Sequence, residues 1–287
     1  MLRLHVRCIF SLLALVAICG TTFAQDATAT LRFRWTEGQA LDYKVQQNTS
    51  VTETSIDEQT KKPVTVTTVT KLTLTKKWTA KSVDASGTAT LELSITAMRQ
   101  EVTQTVGEEK PIVKLLDSAI AEDAKSMTFL NKTAVTVKVD TLGQLLDTQS
   151  ANEGAADRLQ VELPFRITLP NDAVKVAAKW DRGFRLKLPP PLGTGEKLEC
   201  TQTYSYKGMS GDFAVVGLGT ELKTPPDDAA LMPAVVPTLW TGDVFLNAKT
   251  GAYHGAKLTS KKDVANHQGE GTKFVYQSDY TEVAAGK

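Results

Sequence analysis

From Leu31 the chain alternates, with Leu31, Phe33 and Trp35 on one side and Arg32, Arg34 and Thr36 on the other, until Glu37-Gly38 ends the run. A period of two predicts a strand with one buried face. Leu41, Tyr43 and Val45 open a second strand, and after a polar loop from Asp57 to Pro63 a third runs from Val64 to Lys81 with Leu72, Leu74, Trp78 and Ala80 in phase. Asp84-Ala85-Ser86-Gly87 supplies turn-forming residues. The next strand is the clearest: Ala89, Leu91, Leu93, Ile95 and Ala97 face one way, and Thr88, Thr90, Glu92, Ser94 and Thr96 the other. One face belongs to a core and one to water. Strands this long twist and curl, so the pattern predicts a curved meander.

The period changes after Pro111. Ile112, Leu115, Leu116, Ala119 and Ile120 recur at helical spacing with Asp117, Glu122 and Asp123 outside, which predicts one short amphipathic helix. Strand patterning resumes at Val135, Val137 and Val139, turns at Asp140-Thr141-Leu142-Gly143 and returns through Leu145. Ser150 to Asp157 reads as a loop or the start of a short helix.

The second half echoes the first. Thr201 to Tyr206, the turn Lys207 to Gly211, and Phe213, Val215 and Leu218 repeat the strand, turn and strand around Asp84. Val244, Leu246, Thr250-Gly251 and Tyr253 repeat Val139, Leu142-Gly143 and Leu145. Either a duplication or common hairpin chemistry produces this echo, with a junction near Ala151 to Pro170. The chain closes with strands around Ala252 to Asn266 and Thr272 to Val283. The expected fold is therefore all-β: a mainly antiparallel, long curved meander or half-barrel with one short helix. Residues 25–160 and 161–287 form two β-rich halves of one continuous domain.

The 38 threonines agree with this class, because Thr favours the pleated surface of a strand. Charge is nearly balanced, with 33 basic and 32 acidic residues, so no basic field points to nucleic acid. Residues 1–24 read as an export signal: Arg3 and Arg7 precede an apolar run from Cys8 to Cys19, and Thr22-Phe23-Ala24 sets up cleavage after Ala24. That run is short for a bilayer anchor, and no later stretch reaches about 18 apolar residues, so no integral membrane segment is expected once the signal is removed. Lipidation at Cys19 is the weaker alternative, since Ile18 is large where a small residue belongs. The expected location is secreted or periplasmic. Cleavage leaves Cys200 alone, without an intrachain disulfide.

The usual catalytic constellations do not assemble. Gly208-Met209-Ser210-Gly211-Asp212 lies between two strands, where a nucleophile elbow requires a strand and a helix. His254 and His267 lack partner ligands and read as surface residues. Gly217-Leu218-Gly219 reads as a bulge or bend within a strand. Asp227-Asp228 reads as a loop former beside two prolines. Asn48-Thr49-Ser50 and Asn131-Lys132-Thr133 are sequons that matter only in a glycosylating host. Cys200 shares the phase of Leu198, Tyr204 and Tyr206 and reads as an inert core thiol, and Trp35, Trp78 and Trp180 as core aromatics.

The stretch that invites a function is the Pro-rich apolar excursion from Thr224 to Trp240. It is either a plug that completes the core or a lid over a hydrophobic cavity, with the Ile112 to Ile120 segment as its counterpart in the first half.

The chain resembles a family of exported bacterial proteins that carry a domain of unknown function. The matching residues are Leu31-Arg32-Phe33, Glu37-Gly38, Leu41-Asp42-Tyr43, the Val83 to Gly87 hairpin, Leu169-Pro170, Val174-Lys175-Val176 and Trp180. In the family a glycine usually stands shortly before that tryptophan, where this chain has Ala177-Ala178. The resemblance implies an envelope location and an antiparallel architecture similar to the half-barrels of periplasmic lipoprotein and lipid carriers. It implies no catalytic residue.

These readings converge on a non-enzymatic exported protein that binds a hydrophobic or amphipathic ligand, a small molecule or lipid, in the curve of its sheet. Leu231, Met232, Val236 and Trp240 are the expected wall. No metal, cofactor or nucleic-acid partner is expected. The alternative is a structural or interaction module with a self-filled core.

Overall fold

A computed structural model describes residues 28–150 and 153–286, so the expected signal, its cleavage point and Cys19 lie outside the described residues. Twelve antiparallel strands form one open sheet. The first five in spatial sequence come from the first half: β1 (Ala40–Ile56), β2 (Pro63–Val83), β3 (Ala89–Val106), β5 (Thr133–Val139) and β6 (Leu145–Ser150). The short β4 (Ile112–Asp117) hangs from the outer part of β3. The second half supplies β7 (Lys179–Leu188), β8 (Glu196–Ser210), β9 (Phe213–Leu222), β10 (Thr241–Asn247) and β11 (Tyr253–Ala265), with β12 (Lys273–Ala284) returning to pair with β1. The order is β6-β5-β3-β2-β1-β12-β11-β10-β9-β8-β7, so two five-strand meanders run in matching order on either side of β12. The register of β1 on β12 runs from Tyr43 opposite Ala284 to Thr54 opposite Lys273 and joins both halves in one hydrogen-bonded surface.

The sheet curls until its edge strands β6 and β7 face each other across a cleft of about 1030 Å³ lined by Leu145 to Thr148 and Asp181 to Arg185. Helix α2 (Glu153–Glu162) packs against β5, β6 and β7 and bridges this seam. Arg182 of β7 holds the end of α2 through the carbonyls of Gln160 and Val161. Among the described residues no helix is long and apolar enough to cross a membrane.

Two non-strand segments fill the interior. Leu31, Phe33 and Trp35 are buried as their alternation predicts, yet they do not form the expected opening strand of the sheet. Phe33 N–H donates to the Thr141 carbonyl and Arg34 N–H to the Gly251 carbonyl, so this segment closes one end of the curled sheet against two hairpin turns. A ribbon buried on one side has the same period whether a sheet or a barrel mouth covers it. Gly143 shows how close the fit is: its φ is +80°, and an added Cβ would stand 2.6 Å from the Phe33 ring and 2.7 Å from the Ile167 carbonyl. The second insert follows α2, where Leu163, Phe165, Ile167 and Leu169 enter the core. Phe165 lies 5.0 to 5.6 Å from the rings of Phe33, Trp35, Trp78 and Tyr253, inside the range of favourable aromatic packing.

The helix expected over Ile112 to Ile120 is absent. That stretch is β4, followed by the six-residue α1 (Ala121–Ser126). β3 is long enough that Arg99 to Gln104 project past β5, and β4 satisfies their backbone groups. A short apolar run fits both periods, and the free edge of a neighbour decided the outcome. Ile112 and Val113 stay about 60% exposed there.

Candidate functional site

The expected wall residues are dispersed. Thr224 to Trp240 forms short helical turns at Ala229–Leu231, Met232–Val235 and Val236–Thr238, with Asp228 accepting from Ala230 N–H at 2.9 Å. Leu231 packs with Val235, Leu186, Leu188 and Cys200. Met232 and Val236 pack with Phe274 and Tyr276, whereas Trp240 joins the main core beside Tyr280. These four residues therefore touch three apolar clusters, and none of them lines the apolar cavity beside α2.

That cavity, of about 270 Å³, lies beneath α2 on the inner side of the first meander. Val45, Leu72, Leu74, Leu93, Ile95 and Val135 form its apolar wall, and Leu159 and Leu163 contribute from the α2 side. Leu72, Leu74, Leu93 and Ile95 keep part of their surface exposed, although their alternation marks them as inward residues. The same strands are filled further along: Trp78 and Leu91 are almost completely buried beside Phe165.

Charged groups meet at one side of the cavity. Lys76 Nζ lies 2.5 Å from Glu282 Oε1, with the carboxylate fully buried. Tyr253 and Tyr280 donate their hydroxyls to Glu282 Oε2 at 2.9 and 2.7 Å, and Tyr43 donates to the Tyr253 carbonyl at 3.0 Å. The guanidinium of Arg166 lies 4.5 Å from the centre of the Tyr280 ring and 2.7 Å from Glu162, which also meets Arg158 at 3.2 Å. Leu163 and Arg166 adopt left-handed backbone conformations, with φ of 58° and 64°, which non-glycine residues seldom take. These conformations accompany a chain that places Phe165 in the core and Arg166 over Tyr280.

The electrostatics follow from burial and pairing. Burial lowers the Lys76 pKa despite the attraction of Glu282, and Arg166 pushes it the same way. Burial opposes the charge on Glu162, but the Arg166 and Arg158 cations outweigh it and hold the carboxyl below its ordinary value. Burial raises Tyr253 and Tyr280, and the Glu282 charge adds to the effect. The charged side chains Lys76, Arg158, Glu162, Arg166 and Glu282 sit in or beside a partly apolar space, where buried charges persist only when paired.

The other sequence candidates take ordinary places. Gly208 to Asp212 spans the β8–β9 hairpin turn, and Cys200 is buried with its thiol pushed up to about 11. Gly217 and Gly219 lie in a regular stretch of β9, and the bulge falls instead in β8 between Tyr206 and Gly208. His267 is a correction: it is buried, with Nε2 3.2 Å from Glu53. His254 stacks on Phe213 at 4.1 Å. Trp180 donates from Nε1 to the Thr168 carbonyl. Among the described residues no three of His, Cys, Asp and Glu group as a metal would need. In the larger seam cleft the cations are already engaged, Arg182 with Gln202 and the α2 carbonyls and Arg185 with Glu199.

Sequence alternation had marked Leu72, Leu74, Leu93 and Ile95 as inward residues, but it contained no sign that a space would remain beside them. Lys76 and Glu282 are about two hundred residues apart, so no local pattern announces their pairing. No protein-family model matches the chain, and no curated protein matches it.

Proposed function

We propose that this is an exported, non-enzymatic protein that holds a hydrophobic or amphipathic ligand in the α2 cavity. The observation that carries the reading is the row of partly exposed Leu72, Leu74, Leu93 and Ile95 around about 270 Å³ of space, next to the stretch of the same strands where Trp78, Ala80, Ala89 and Leu91 are buried. Concave sites with mostly apolar walls and a few convergent polar groups are the usual form of small-molecule sites. The signal-like residues 1–24 support export, and the cavity replaces Leu231, Met232, Val236 and Trp240 as the proposed wall.

The test is binding of a neutral apolar fluorophore, N-phenyl-1-naphthylamine, to the purified protein. Leu74→Asp and Ile95→Asp should weaken binding at least tenfold while circular dichroism stays native. Met232→Asp, outside the cavity, should leave binding within twofold. Equal binding by all four proteins overturns the cavity assignment. The structural-module reading draws on the Phe165 region, where the interior is self-filled; absence of probe binding to the wild type would favour it.

A further inference from the structure

We infer that the ligand of the α2 cavity is a single-chain amphiphile with a monoanionic, carboxylate-type head, bound with that head among Lys76, Arg158 and Arg166. The inference rests on the proposed ligand-binding reading and adds the chemistry of the ligand.

Three observations carry it. The first is charge. Lys76, Arg158 and Arg166 stand against Glu162, which lines the cavity, and Glu282, which pairs with Lys76 from behind. Three cations against two carboxylates leave one positive charge in excess, and a monoanion neutralises it.

The second is hydrogen-bonding sense. Among the lining groups, lysine, arginine and tryptophan can only donate, the Tyr280 hydroxyl is already committed to Glu282, and Gln47, whose amide nitrogen donates to Thr49 and Ser278, adds a single carbonyl acceptor against these donors. Glu162 is the lining carboxylate, and it is held by Arg158 and Arg166. The indole N–H of Trp78 is buried without a hydrogen-bond partner. A head that only accepts suits this surplus of donors, and arginine matches the two oxygens of a carboxylate in geometry as well as charge. A cationic head meets three like charges, and a neutral alcohol leaves the excess charge uncompensated.

The third is size. A space of about 270 Å³ lies at the small end for a ligand site and suits one medium-length chain better than two. The tail belongs along Leu72, Leu74, Leu93 and Ile95, the apolar wall on β2 and β3 in which Ile95 stands opposite Lys76 and Leu93 opposite Trp78.

The experiment compares three ligands with one tail: decanoate, decanol and decyltrimethylammonium, each displacing N-phenyl-1-naphthylamine from the wild type and from Arg158→Glu. Arg158 is largely exposed, so the variant keeps the fold while turning the local excess of one positive charge into one negative. Decanoate should bind wild type at least tenfold tighter than decanol, with decyltrimethylammonium weakest. In Arg158→Glu the preference for decanoate should vanish while decanol binding stays within twofold. Decanol binding as tightly as decanoate overturns the head-group inference and leaves the apolar cavity intact. Equal weakening of both ligands by Arg158→Glu overturns it too, since that marks a structural effect. Failure of the probe and of all three ligands to bind overturns the ligand-binding reading itself. Native mass spectrometry after mixing with dimyristoyl phosphatidylglycerol vesicles checks the chain count: a retained diacyl lipid overturns the single-chain assignment.

Discussion

The interior of the first meander has two zones built on the same strands. Near the end closed by Leu31 to Trp35, the inward residues of β1 to β3 meet the Phe165 insert, and Ala80, Ala89 and Leu91 are buried, with Trp78 at the boundary, packed on Phe165 and bordering the cavity. A few residues along the same strands, Leu74, Leu72 and Ile95 are only partly covered, and a cavity remains beside α2. Hydrophobic alternation is alike in both zones. What differs is the covering segment: a bulky aromatic insert in one, a helix with Arg158, Leu159 and Glu162 toward the space in the other. An alternating strand determines which side turns inward, and the segment opposite determines whether that side becomes core or binding wall.

The largest effect that would sharpen this contrast comes from the filled zone and its buried charges. Phe165→Ala should cost ~3–5 kcal/mol of unfolding free energy, the range for deleting a buried phenylalanine, measured by urea denaturation. A loss below 1 kcal/mol would show that the insert is not a true core. Glu282→Gln leaves Lys76 without its counter-charge and should cost ~3–5 kcal/mol. Lys76→Met combined with Glu282→Gln should recover most of that loss; a double variant as unstable as Glu282→Gln alone would show that Lys76 is not its essential partner.

A middle-sized effect concerns the hinge between the zones. Glu162 is held below its ordinary value of 4.5, so its contribution to stability is present above that value and is lost as pH falls through the depressed folded one. Glu162→Gln should remove ~1.5–3 kcal/mol at pH 7, the range for hydrogen bonds to charged groups, and should flatten the acid limb of the stability curve. An acid limb as steep as that of the wild type would show that other carboxylates carry it.

The smallest stability effect is expected in the open zone. Leu74→Ala should cost ~1–2 kcal/mol, less than a fully buried leucine, because its side chain is only partly removed from water. It should nevertheless weaken probe binding. A large loss of stability there would erase the distinction between wall and core.

Much of the fold was legible because its causes are local. The alternations at Leu41, Leu72 to Ala80 and Ala89 to Ala97 mark β1 to β3, and Asp84 to Gly87 and Gly208 to Gly211 mark hairpins through turn chemistry. Elements that depend on a distant neighbour were read differently. Leu31 to Trp35 reads as a strand and serves as an end closure, and Ile112 to Ile120 reads as a helix and pairs with the overhang of β3. The site was legible only in part. Its apolar wall follows from alternation, whereas Arg158 and Glu162 lie just past the polar stretch from Ser150 to Asp157 and Glu282 within the closing strand, where no local pattern singles them out.

The sequence by itself determined an all-β chain, the inward sides of its long strands and the burial of Cys200 and Trp78, because side-chain direction in a strand repeats every two residues. Only the tertiary structure decided that the Phe165 segment fills the interior, that Lys76 meets Glu282, and that space remains under α2. Volume and charge are balanced between segments far apart in the chain, and that balance exists only once the sheet has curled them together.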